Sequence, residues 1–124
     1  MIKSQEVHEN GFEVIFSGIV TSQEMFDVGD AFKSHKNFPN FNYILMWFTD
    51  VENMLIDTNE IRRLAHLDKE ASVKNPQLNF AVATDSPLVF GLARMWEAFY
   101  GNGPWKPMVF NEIEKARRFA YATD

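Results

Sequence analysis

At 124 residues, with 46% hydrophobic side chains and a formal net charge of −5, the chain fits one compact domain, 1–124, large enough to bury roughly two-thirds of its unfolded surface. The absence of cysteine excludes thiol catalysis, a disulfide framework and cysteine-ligated metals, and the acidic balance argues against non-specific binding to nucleic acid or anionic lipid. The amino terminus MIKSQEVHENG carries no apolar h-region and no segment reaches the roughly 18 apolar residues of a membrane span, so a cytoplasmic protein without a membrane span is expected.

Residues Ile2–Val7 and Phe12–Ser17 flank His8-Glu9-Asn10-Gly11. An Asn-Gly step between β-rich runs is a strong hairpin signal, because both positions accept positive φ. Thr21-Ser22-Gln23-Glu24 has capping-box spacing and opens a helix with Met25, Phe26, Val28, Ala31 and Phe32 on one side. That helix is expected to stop near Asn37-Phe38-Pro39-Asn40. Tyr43–Phe48 has no polar residue on either face, which a strand tolerates only in the middle of a sheet covered on both sides.

After an expected loop over Thr49–Ile56, Asp57 and Glu60 repeat the capping-box spacing and open a second helix bearing Ile61, Leu64, Ala65 and Ala71. Its basic residues Arg62, Arg63, Lys69 and Lys74 alternate with Glu60, Asp68 and Glu70, the pattern of a solvated face. Leu78, Phe80, Ala81, Val82 and Ala83 form an apolar run ending in the turn Thr84-Asp85-Ser86-Pro87, followed by the amphipathic FGLARMWEAFY. This reads as a buried strand feeding a third helix, with Leu88, Leu92, Met95, Trp96 and Phe99 inward and Phe90, Arg94 and Glu97 outward. Gly101-Asn102-Gly103-Pro104 stops it. Pro107–Phe110 is a short last strand suited to an edge, and Asn111 is expected to cap a fourth helix with Ile113, Ala116 and Phe119 inward. The order β-β-α-β-α-β-α-β-α implies parallel pairing and right-handed crossovers in an α/β fold.

The step Gly18-Ile19-Val20-Thr21, the strand ending in Thr49-Asp50-Val51, the segment from Val82-Ala83-Thr84-Asp85-Ser86-Pro87 to Met95, and the closing Val109–Ala116 together resemble the SpoIIAA-like family of the STAS superfamily, the small bacterial domains related to anti-sigma-factor antagonists. The resemblance covers nearly the whole chain. It implies a mixed sheet of about five strands with four helices on its two faces, helices 2 and 3 on one and helices 1 and 4 on the other. Relatives serve as phosphorylation-switched partners, small-ligand sensors and parts of transporters, so the likeness transmits fold better than activity.

Phosphorylatable relatives carry a Ser after an Asp at the start of the helix following the central strand, and Ile56-Asp57-Thr58 resembles that step, which makes Thr58 a candidate phospho-acceptor. It departs from the pattern in having Asn59 and Glu60 after the hydroxyl. Capping alone also accounts for Asp57-Thr58.

Asp50, Asp57 and Asp85, with Asn111, follow strand ends or begin helices and form a candidate ligand site at the carboxyl edge of the sheet, where open α/β folds bind; capping explains each separately. His8, His35 and His66 share no ligand spacing, and neither a metal nor a cofactor is expected. The chain has no Gly-x-Ser-x-Gly, phosphate loop or His-Glu-x-x-His. The expectation is therefore a non-enzymatic regulatory or protein-interaction domain, with a protein partner or a homodimer and a contact surface of Phe90, Arg94, Glu97, Tyr100 and Trp105. The alternative is a carrier or sensor of a small apolar ligand such as a lipid or fatty acyl chain, resting on twelve Phe and six Met and requiring a cavity of about 300 Å³. One residue breaks the pattern: Asp68 falls within the apolar stripe of the second helix, so it is either at a wet edge or buried with a hydroxyl, indole or basic partner.

Overall fold

The structure, a computed structural model, describes residues 1–122. In chain order its elements are β1 (Ile2–Val7), β2 (Gly11–Thr21), α1 (Ser22–Lys33), a 3-10 turn at Phe38–Asn40, β3 (Tyr43–Leu55), α2 (Thr58–Ala71), β4 (Asn79–Thr84), α3 (Pro87–Tyr100), β5 (Lys106–Phe110) and α4 (Ile113–Tyr121). The strands form one mixed sheet in the spatial order β1-β2-β3-β4-β5. β1 is antiparallel to β2, and the other neighbouring pairs are parallel. Both capping boxes form, Thr21 with Glu24 and Asp57 with Glu60. No described helix is long and apolar enough to cross a membrane.

From β2 to β5 each crossover moves one place along the sheet in the same direction. Right-handed crossovers of that kind deliver every connecting helix to the same face. Accordingly α1 packs on β2 and α2, α2 on α3, and α3 across β3, β4 and β5, while α4 alone lies on the opposite side over β3, β4 and β5. This corrects the expected pairing of helices 2 and 3 against 1 and 4, because α1 could reach the α4 face only by a left-handed crossover. The β1–β2 half of the α4 face is left without a helix.

Period-2 alternation sorts the side chains between the two faces. Phe12, Val14, Phe16, Ile44, Met46 and Phe48 point to the three-helix side, and Tyr43, Leu45, Ala81 and Ala83 meet Ala116 and Ala120 of α4. On the three-helix side Phe80, Trp96, Tyr100 and Trp105 stack nearly parallel, at centroid separations of 4.9 to 5.9 Å. Gly103 faces the Tyr100 ring so closely that a Cβ there would collide with it. The glycine therefore lets the chain turn tightly over the buried phenol, which accepts a hydrogen bond from the Trp105 amide at 2.9 Å.

Three boundaries differ from expectation. α1 ends at Lys33, and the Asn37–Asn40 stretch is a separate 3-10 turn. The cap position of α4 is Glu112, not Asn111, and makes no side-chain capping bond. The expected loop after Phe48 is strand: β4 ends opposite Phe48, but β2 and β3 stay paired as far as Thr21 and Leu55. Its polar residues hide this, because a ribbon projecting beyond the sheet is covered on one side only. The ribbon is kinked where register shifts flank Gly18, with Gly18 at φ 63° and Asp50 at φ 54°. Extra residues in one strand bend a sheet locally in this way.

Candidate functional site

At the carboxyl edge of β4, the middle of β3, the end of β4 and the start of α4 line a surface cleft of about 330 Å³. Trp47, Thr49, Thr84, Asp85, Asn111 and Glu112 are among its walls. Of the three acids expected there, Asp85 alone lines it. Asp50 sits at the kink within β3, and Asp57 is engaged at the head of α2, where its carboxylate accepts from the Glu60 amide at 2.8 Å. The long β3 separates them: a strand that continues past its neighbour carries its acids away from the edge. Among the described residues no three His, Asp or Glu are placed to hold a metal ion. Thr58 is exposed as the first residue of α2. A phosphate on it would stand beside the Asp57 and Glu60 carboxylates, which already occupy the capping amides.

α3 carries two exposed large apolar side chains, Leu88 at 45% and Phe90 at 47%, which stand two positions apart and so on opposite flanks of the helix. Arg94 is exposed and pairs with Glu97 at 3.7 Å. The buried stripe is Val89, Trp96 and Tyr100, so the helix is rotated from its expected setting and Leu88 faces out. Tyr100 and Trp105, expected to extend this surface, are core residues at 0% and 2% exposure. The Trp105 indole N–H donates to the Asn75 carbonyl at 2.7 Å. Their aromatic area is consumed by stacking on Phe80 and Trp96, a partner set no helical periodicity reveals.

Asp68 is buried beneath α2 and tied to both neighbouring helices. Lys33 Nζ of α1 lies 2.5 Å from Oδ1, and Trp96 Nε1 of α3 donates to Oδ2 at 2.9 Å. Burial pushes its carboxyl above the ordinary carboxylate range, opposed by the Lys33 charge and by the hydrogen bonds from Lys33 and Trp96. The partners are the basic side chain and indole that a pattern-breaking acid requires. Beside it, an apolar crevice of about 70 Å³ runs under α2, lined by Met25, Met46, Met54, Leu64, Trp96 and Met108 among others. That is below the cavity of about 300 Å³ that a carrier of an acyl chain requires.

A polar cluster that sequence reading missed lies on the α4 face. Tyr121 of α4 donates to the Glu13 carboxylate, with both oxygens at 2.9 Å. His8 Nδ1 is 3.1 Å from Glu13 and 2.6 Å from the Tyr43 hydroxyl, and its Nε2 is 3.1 Å from Glu6. Burial and the neighbouring Glu13 push the Tyr43 phenol well above its ordinary value; burial and the hydrogen bond to Glu13 raise that of Tyr121. The hairpin register, which sets Glu6 opposite Glu13, was available as a signal. The approach of Tyr121, 108 residues away in the chain, was not. Against protein-family models, curated proteins and solved structures, the chain matches none.

Proposed function

We propose that the chain is a non-enzymatic, STAS-like regulatory or interaction domain that docks a protein partner through the outer face of α3. The observation that carries this reading is the mismatch within α3. It is rich in apolar residues, yet Phe90, on the same flank of the helix as Arg94 and Glu97, is nearly half exposed. Exposed apolar area on a helix bordered by charges is the usual composition of a contact surface, and the Arg94–Glu97 pair supplies such a border. The order of elements and the Val82–Met95 segment support the STAS-like assignment; the placement of α1 beside α2 and α3 departs from what that family implies.

Self-association is the form of docking the experiment addresses. Size-exclusion chromatography with light scattering, over a rising concentration series, should show a dimer that Phe90→Glu abolishes. A strict monomer at the highest concentration, unaltered by the substitution, would overturn docking of a second copy on this face.

A further inference from the structure

Where the helix-free half of the sheet meets the side of α4 there is a second, smaller cleft of about 170 Å³. Ile15, Leu45 and Trp47 form its floor, Glu6 and Glu13 stand on the hairpin bank, and Arg117 and Tyr121 stand on the helix bank. We propose that this cleft binds a free α-amino acid with an apolar side chain, its ammonium against Glu13 and Glu6, its carboxylate against Arg117 and its side chain on the Ile15–Trp47 floor.

Opposite charges lining so small a cleft would ordinarily close on each other. Here each is held by other groups. The Glu13 carboxylate takes the Tyr121 hydroxyl and His8, while Arg117 pairs with Glu114 at 3.0 Å and stands 5.7 Å over the Trp47 ring. Among the described residues no ion pair joins Glu13 to Arg117, and the Tyr121 phenol lies beside both. Charge on the banks then selects the ligand. A simple anion would face Glu6, Glu13 and Glu114, and a simple cation would face Arg117. A molecule with both charges on one carbon satisfies both banks, and its side chain buries the apolar floor. Charge-assisted hydrogen bonds of this kind are the stronger class, and a carboxylate suits the planar guanidinium fork.

The test uses Trp47 as reporter, since Trp96 and Trp105 are buried. L-leucine should give a saturable change in tryptophan emission at millimolar concentration, matched by calorimetry. Leucinamide, which lacks the carboxylate, and 4-methylpentanoate, which lacks the ammonium, should each bind at least about tenfold more weakly. Arg117→Gln should weaken L-leucine by about tenfold and leave leucinamide unchanged. Glu13→Gln should do the reverse, weakening L-leucine while sparing 4-methylpentanoate. Arg117 is on a partly exposed helix side, so its variant keeps the test available should Glu13→Gln unfold. Trp47→Phe should silence the optical change while heat is still released on binding. No saturable response to L-leucine, a half-ligand that binds as tightly as L-leucine, or an Arg117→Gln protein with unaltered affinity would overturn the proposal. Phe90 lies across the sheet from this cleft, so Phe90→Glu should leave the titration unchanged and keep this outcome separate from that of the docking reading.

Discussion

Beneath α1, α2 and α3 the sheet presents Phe12, Phe16, Phe48 and Phe80 to a layer of large side chains, with an aromatic stack and an ion pair sealed inside. Toward α4 it presents Ala81 and Ala83 to Ala116 and Ala120, and the contact thins into a polar cluster where the helix ends. Bulky apolar volume holds the first face together, whereas the second relies on close approach of small residues and on hydrogen bonds at the margin. Burial stability scales with apolar area removed from water, so the three-helix face supplies most of it. The thinner face keeps its carboxylates, the Tyr121 phenol and the Arg117 guanidinium within reach of solvent.

The largest effect expected from that contrast is on the stack. Trp105→Ala removes an indole packed between Phe80 and Tyr100 together with its bond to Asn75, and should cost about 3–5 kcal/mol in urea denaturation. A loss no greater than that of Tyr43→Phe would erase the distinction between the faces.

Asp68→Ala leaves Lys33 without its partner in the interior and should cost about 2–4 kcal/mol, with Asp68→Asn milder. The pH dependence sharpens this. A carboxyl whose folded value is raised contributes stability that is present below the ordinary range near about pH 4 and is lost as pH rises through the raised value. The denaturation free energy of the wild type minus that of Asp68→Asn should accordingly fall as pH rises from about 4. A difference that grows with pH would mean that Lys33 and Trp96 outweigh burial.

On the other face Tyr43→Phe removes one hydrogen bond to His8 and should cost about 0.5–1.5 kcal/mol near neutrality. The folded phenol is raised, so its contribution is present below about pH 10 and is lost as pH rises further. Thermal melts should therefore show the wild type losing stability faster than Tyr43→Phe above that point. Parallel alkaline curves would show that the cluster does not depend on the neutral phenol. The smallest expected effect is that of Phe90→Glu, within about 0.5 kcal/mol in the monomer because the ring is nearly half exposed. A large loss of monomer stability would identify Phe90 as a packing residue and remove it from the docking surface.

Much of this architecture was legible residue by residue. The two capping boxes and the central YILMWF strand are local signals, read from side chains that reach backbone amides three residues on and from the absence of polar groups on either face. The β1–β2 hairpin forms as expected, but neither Asn10 nor Gly11 takes the positive φ that the Asn-Gly step suggests, and Gly11 instead makes room for the Tyr43 ring. Asp68 was legible as an anomaly, since periodicity alone shows that an acid sits where a helix turns inward, although it names neither Lys33 nor Trp96. The candidate sites were less readable. Asp50, Asp57 and Asp85 look alike as acids near element boundaries, and only the projection of β3 past β4 separates them.

Local rules therefore determined the order of strands and helices, their caps and the alternation that sorts side chains to one face or the other. Tertiary structure decided the rotation of α3, the burial of Tyr100 and Trp105, the placement of α1 beside α2 and α3, and the meeting of Glu13 with Tyr121. The physical reason is range. Capping, turn chemistry and periodicity act over a few residues, whereas aromatic stacking, crossover handedness and the closing of α4 onto the sheet depend on groups brought together from tens to more than a hundred residues apart in the chain.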